Sequence, residues 1–178
     1  KGFAKVDGQV VKDPAFSVDP LVSQVIFDGQ VVEYKKHIYI VMNKPKGVLS
    51  ATEDKTKPTV IDLVPEKLKR NGLFPAGRLD KDTTGLIIIT DDGDFAHKIM
   101  SPNKNVYKTY IALLDGPVSK EIENQFSSGI TLADGTVCRN AYLKSLGNNY
   151  AEIRICEGKY HQIKRMFHAT GNEVLTLH

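Results

Sequence analysis

The chain has 178 residues, 24 Lys+Arg against 21 Asp+Glu for a net charge of +3, 41% apolar residues and 25% charged residues. That is the size of one or two compact domains and the balance of a soluble globular protein. No apolar run nears the roughly 18 residues of a membrane span, no charged-then-apolar leader opens the chain, and Cys138 and Cys156 form no CxxC pair or disulfide framework. Membrane, secreted, disordered and cysteine-rich classes are thereby excluded, and the cysteine usage fits a reducing cytoplasm.

In chain order, residues 1–34 read as a small β-rich unit. Asp7-Gly8 stands between Lys5-Val6 and Gln9-Val10-Val11, and Asp28-Gly29 between Val25-Ile26-Phe27 and Gln30-Val31-Val32. Asp-Gly between apolar stretches predicts a hairpin, because the tight turn needs positive φ. Thirty-odd residues cannot bury a core of their own. Charged residues 35–37 read as a linker before a strand over Ile38–Met42.

Further strands are predicted over Leu86–Thr90, Thr109–Leu114, Ala141–Ser145 and Ala151–Ile155. Helices are predicted over Thr59–Val64, Phe95–Met100 and Lys120–Phe126, the last with Ser119 as N-cap and Gly129 just past its end. Asp134-Gly135 predicts a third turn. Over Tyr160–Thr170, Tyr160, Ile163 and Phe167 share one helical face, and His161, Lys164, Arg165 and His168 the other. Many antiparallel turn signals without regular βαβ spacing predict an α+β fold.

The densest polar segment is Gly77-Arg78-Leu79-Asp80-Lys81-Asp82-Thr83-Thr84-Gly85, which feeds the apolar strand at Leu86. A small, polar loop on a buried strand is a common seat for functional side chains. Asp80, Asp82, Thr84, Gly85 and Asp91 partly fit a calcium loop, but Ile88 and Asp91 occupy positions where the loop needs a polar ligand and a bidentate Glu. No metal is expected, and the absence of a Gly-x-Gly-x-x-Gly or Walker loop predicts no nucleotide cofactor. Basic residues gather at Lys35-Lys36, Lys44 with Lys46, Lys104 with Lys108, and Lys159 to Arg165. Brought together in space, they would make a positive groove for phosphates.

Residues 77–86 resemble the GRLDxxTxGL motif of pseudouridine synthases. Asn43-Lys44-Pro45-Lys46-Gly47 is similar to the NKPxG element that opens the catalytic domain, Lys108-Thr109-Tyr110 to the K-x-Y element, and Glu157–Phe167 to EGxxHQIKRMF. Lys164-Arg165-Met166-Phe167 and Asp91-Asp92-Gly93 resemble the RsuA-type branch, which acts on ribosomal RNA.

The resemblance implies a mixed, mainly antiparallel sheet flanked by short helices, a catalytic domain over 38–178, and a partial S4-like RNA-binding domain over 1–34. With no initiator Met and an end inside the alternation Val174–His178, the chain reads as the middle of a longer protein. It further implies that uracil is detached from ribose, rotated and rejoined through C5 without a cofactor. Asp80 is then the catalytic aspartate, Lys164 its cationic partner, and Tyr110 the ring that stacks on the flipped base. Leu177 lines the pocket, and Arg78 is suited to phosphate contact or to filling the space left by the extruded base, with a structural salt bridge the alternative. Lys44, Lys46, His161, Gln162 and Arg165 are candidates for contact with RNA. The expected partner is ribosomal RNA, 16S or an assembling small subunit, met by a monomer in the cytoplasm. A 23S-specific paralogue and a non-catalytic RNA-binding module are the alternatives.

Overall fold

A computed structural model describes residues 4–178, so residues 1–3 of the expected first domain lie outside the described residues. The chain divides into two units, Lys1–Ile38 and Tyr39–His178.

In the first unit, β1 (Ala4–Val6) and β2 (Gln9–Val11) form one hairpin, and β3 (Val25–Phe27) and β4 (Gln30–Val31) another. Asp7, Gly8, Asp28 and Gly29 all have positive φ, the geometry of a tight two-residue hairpin turn. All ladders are antiparallel, in the order β2-β1-β3-β4. Asp7 fixes the junction by accepting the Gln24 N–H at 2.8 Å. None of residues 4–38 is fully buried, as expected for so short a segment.

The second unit holds two sheets. In one, β7 (Gly85–Thr90) is central between β5 (Tyr39–Lys44) and β6 (Phe74–Pro75). In the other, β8 (Lys108–Leu114) lies between β11 (Val174–Leu177) and β10 (Tyr150–Ile155), with β9 (Tyr142–Gly147) at the far edge. Every ladder between these strands is antiparallel. The mixed sheet expected from the resemblance is corrected on this point. Among the described residues, parallel pairing occurs only in the isolated bridge between Leu49 and Thr59.

Three α-helices complete the unit: α1 (Gly93–Met100), α2 (Lys120–Ser128) and α3 (Gln162–Ala169). Asp92 caps α1 by accepting the Phe95 N–H at 2.9 Å, and Ser119 caps α2 through the Ile122 N–H at 3.3 Å. Gly129 ends α2 at φ 90° and ψ 141°, where an added Cβ would stand 2.8 Å from the Cys138 carbonyl oxygen. The core lies between α2, α3 and the β8 sheet. Phe126 of α2 and Met166 and Phe167 of α3, all 0% exposed, pack with Leu114, Ile153 and Leu143. Ile163 and Phe167 point into this core as their spacing predicts, but Tyr160 does not and is 76% exposed.

The helix predicted over Thr59–Val64 is absent. The N–H and hydroxyl of Thr59 both donate to the Asp62 carboxylate, at 2.7 and 3.0 Å. The segment begins like a capped helix but closes as a turn, because Pro65 disfavours helical backbone at the residue before it.

Candidate active site

The loop between β6 and β7 carries Asp80, and its backbone is fastened from several sides. The Ser50 hydroxyl donates to the Leu79 carbonyl at 2.8 Å and accepts the Leu79 N–H at 3.0 Å. The Lys44 ammonium donates to the carbonyls of Thr83 (2.8 Å), Pro45 (3.1 Å) and Lys81 (3.3 Å). The Gly47 N–H reaches the Lys81 carbonyl at 2.7 Å, and the Thr84 N–H reaches the Leu177 carbonyl at 3.1 Å. Strand β5 ends at Lys44 opposite Gly85, so register alone delivers this lysine under the loop. Few conformations remain open to the backbone around Asp80, which is how a reactive side chain is held in place.

The Asp80 side chain is 28% exposed. One carboxylate oxygen lies 3.6 Å from Lys164 Nζ and the other 3.6 Å from His161 Nε2. Both partners come from the start of α3, where the aligned peptide dipoles add partial positive charge. Lys164 is closer to Asp82, donating to both of its oxygens at 2.7 and 2.8 Å. That hydrogen bond holds the Asp82 carboxyl below the usual carboxylate range. The lysine expected to pair with Asp80 is therefore shared between two aspartates, with Asp82 the nearer. Asp82 went unassigned in the sequence, although its place two residues along the same loop is the signal that could have found it.

Tyr110 lies on β8, packed against the core. Burial first, and the charge of Asp80 second, push its phenol above the ordinary tyrosine range. A phenol in that setting stays neutral at physiological pH.

Two cavities meet at Lys164. One, of about 160 Å³, is lined by Lys46, Asp82, Thr83 and Leu177 among others, which puts Leu177 at a pocket wall. The other, of about 240 Å³, is lined by His161, Arg165, His168 and Glu173. Arg78 is exposed on the Asp80 loop.

Two of the expected RNA contacts are corrected. Lys44 is 0% exposed and spends its ammonium on the three loop carbonyls, so it cannot meet a phosphate. Gln162 is 4% exposed, accepting the Lys159 N–H at 2.9 Å and donating to Glu157 at 2.7 Å. Glu157 also accepts the Arg139 N–H at 2.9 Å and pairs with Lys159. Burial alone would raise the Glu157 carboxyl, but these partners together hold it below its usual range. The positive groove is also thinner than the sequence suggests. Lys108 donates to the Ile99 and Val106 carbonyls at 2.9 and 2.8 Å, and Arg165 pairs with Asp134 at 2.6 Å. Lys46 is exposed.

Residues 38–169 match the family model described as RNA pseudouridylate synthase. The chain is 44% identical to the uncharacterized RNA pseudouridine synthase YtzG of Bacillus subtilis, over 99% of this chain and 75% of the relative. It is 39% identical to ribosomal small subunit pseudouridine synthase A of Escherichia coli, over 97% of this chain and 75% of that protein. A crystal structure of a pseudouridylate synthase superposes with a TM-score of 0.74 at 34% identity, covering 98% of this chain and 75% of that one. A second structure, of an H/ACA ribonucleoprotein bound to a substrate RNA containing 2'-deoxyuridine, shares the fold at a TM-score of 0.55 and 16% identity, over 78% of this chain and 45% of that one. The chain belongs to the RNA pseudouridylate synthase family as an enzyme of the RsuA type.

Proposed function

We propose that this enzyme isomerises one uridine of ribosomal RNA, in the 16S RNA of the small subunit, with Asp80 as its essential carboxylate. The observation that carries the reading is the setting of Asp80: a partly exposed carboxylate on a loop fastened by Ser50 and Lys44, with Lys164 and His161 each 3.6 Å away. The relative from Escherichia coli, named for the ribosomal small subunit, supports the choice of RNA.

In the reaction the N1–C1′ bond breaks, a C5–C1′ bond forms, and the C5 proton is lost while N1 gains one, so no atom is added or removed. An ionised carboxylate is needed at the reacting base or sugar, and a neighbouring cation favours that form. Lys164 supplies it, and Tyr110 offers its ring to the base. The uridine must leave its stack to reach Asp80, at a cost of a few kcal/mol. Contacts with the flanking backbone offset that cost, from Lys46, Arg78, His161 and Arg165, while Leu177 walls the pocket. The hairpins of the first unit act as an S4-like RNA-binding element, and the enzyme works as a cytoplasmic monomer.

Pseudouridine mapping of 16S and 23S RNA, from cells carrying wild-type protein or Asp80→Asn, tests the reading. One 16S site is expected to vanish in the variant while RNA binding persists. Loss at a 23S site would overturn the choice of RNA, and an unchanged map would overturn the catalytic reading of Asp80.

A further inference from the structure

Immediately before α3, the rings of Tyr160 and His161 stack face to face, with centroids 3.9 Å apart and planes inclined by 17°. Successive side chains of a regular strand or helix point to different faces. Here His161 has left-handed backbone, φ 47° and ψ 36°, and the two rings turn together. A non-glycine residue in that region is uncommon and is often kept at a binding site. The inner ring, His161, reaches to 3.6 Å from Asp80. The outer ring, Tyr160, is 76% exposed. An aromatic ring this open, yet fixed by a stacked neighbour, loses little freedom when a second flat group covers it.

We infer that the outer face of Tyr160 is a stacking platform for a nucleobase of the RNA strand, that of a nucleotide flanking the uridine turned toward Asp80. This rests on the reading of Asp80 given above and adds a binding position to it. One ring separates the platform from the carboxylate, so the stacked base belongs to a near neighbour of the reacting nucleotide. Its π-face is all the platform reads, so it accepts any base and fixes the path of the strand rather than its sequence. Lys164 and Arg165, one helical turn on, are already paired with Asp80, Asp82 and Asp134, so the platform holds its base through the ring face.

The test uses the full chain, a 16S RNA transcript, and variants Tyr160→Ala, Tyr160→Leu and Tyr160→Phe. Tyr160→Ala and Tyr160→Leu are expected to weaken RNA binding about tenfold, equivalent to about 1.4 kcal/mol. Tyr160→Phe retains affinity, and all three keep a cooperative unfolding transition because the residue is 76% exposed. In a short RNA carrying the mapped uridine, an abasic nucleotide at one flanking position should abolish the difference between wild type and Tyr160→Ala. Unchanged affinity in Tyr160→Ala, or loss that stays the same with an abasic nucleotide at every flanking position, would overturn the platform. Asp80→Asn separates the two readings. If it still forms pseudouridine, the reading of Asp80 fails while the affinity of the Tyr160 variants still decides the platform.

Discussion

Lys44→Met is the most informative single perturbation, because it separates a lysine that builds the site from one that binds RNA. Methionine keeps most of the stem volume of the buried side chain and removes the ammonium. The carbonyls of Thr83 and Pro45 then lose the charged donor at 2.8 and 3.1 Å, whereas the Lys81 carbonyl keeps the Gly47 N–H at 2.7 Å. A hydrogen bond to a charged group contributes about 1.5–3 kcal/mol, and a buried acceptor left unpaired costs about 1–3 kcal/mol. Against this, the folded chain no longer has to bury a charge. Burial already pushes the Lys44 ammonium below the ordinary lysine range, while Asp82 and Asp80 push it back. The balance is a net loss of about 2–4 kcal/mol. For a unit of this size that is a fall in Tm of roughly 6–12 °C. Thermal unfolding followed by circular dichroism reads the fall, and single-turnover pseudouridine formation reads the loosened loop as a lower rate. A Tm within 2 °C of wild type, with an unchanged rate and a raised KM for RNA, would refute the reasoning and return Lys44 to the role of phosphate contact.

Asp82→Asn removes the anion nearest Lys164. We expect kcat to fall roughly tenfold with little change in KM, because a small misplacement of a charged group is felt mainly in the transition state; a raised KM with unchanged kcat would make Lys164 an RNA contact instead. Asp134 is held at about 2 by the Thr136 N–H, the Thr136 hydroxyl and Arg165, below the roughly 3.9 of an unfolded aspartate. Its stabilising effect is therefore full above pH 4 and fades as pH falls toward 2. The Tm gap between wild type and Asp134→Asn should narrow across that interval, and a gap that stays constant would contradict the assignment.

Features governed by neighbours in sequence were legible from the sequence. The Asp-Gly hairpins, the Ser119 cap and the stop at Gly129 each depend on local backbone preference, and each stands where the residues put it. Thr59–Val64 has local helical character as well, but Pro65 and the Asp62 carboxylate decide in favour of a turn. Lys44 misleads for a different reason. A lysine at the end of a strand reads as solvated, and only the pairing of β5 with β7 shows that its side chain lies beneath the loop. Gln162 misleads in the same way, since the carboxylate that claims it is contributed by the turn before α3. The partition of Lys164 between Asp80 and Asp82 is a matter of less than 1 Å and lies below the resolution of any spacing argument. Tyr160 has core periodicity with Ile163 and Phe167, but the left-handed residue after it takes it out of phase with the helix.

The attachment of Thr84 to Leu177 and His178 ties the site to events far along the chain. Thr84 Oγ1 meets His178 Nδ1 at 2.8 Å across 94 positions of sequence, and His178 exchanges two backbone hydrogen bonds with Ile111. Strand β11 is an edge strand with an irregular register against β8. Contacts so distant in sequence pay their loop-closure entropy late in folding. When β11 lifts, the Asp80 loop loses its anchor at Thr84 and the pocket loses the Leu177 wall in one event. The Asp80 loop and the Leu177 wall thus share one attachment, the pairing of β11 with β8.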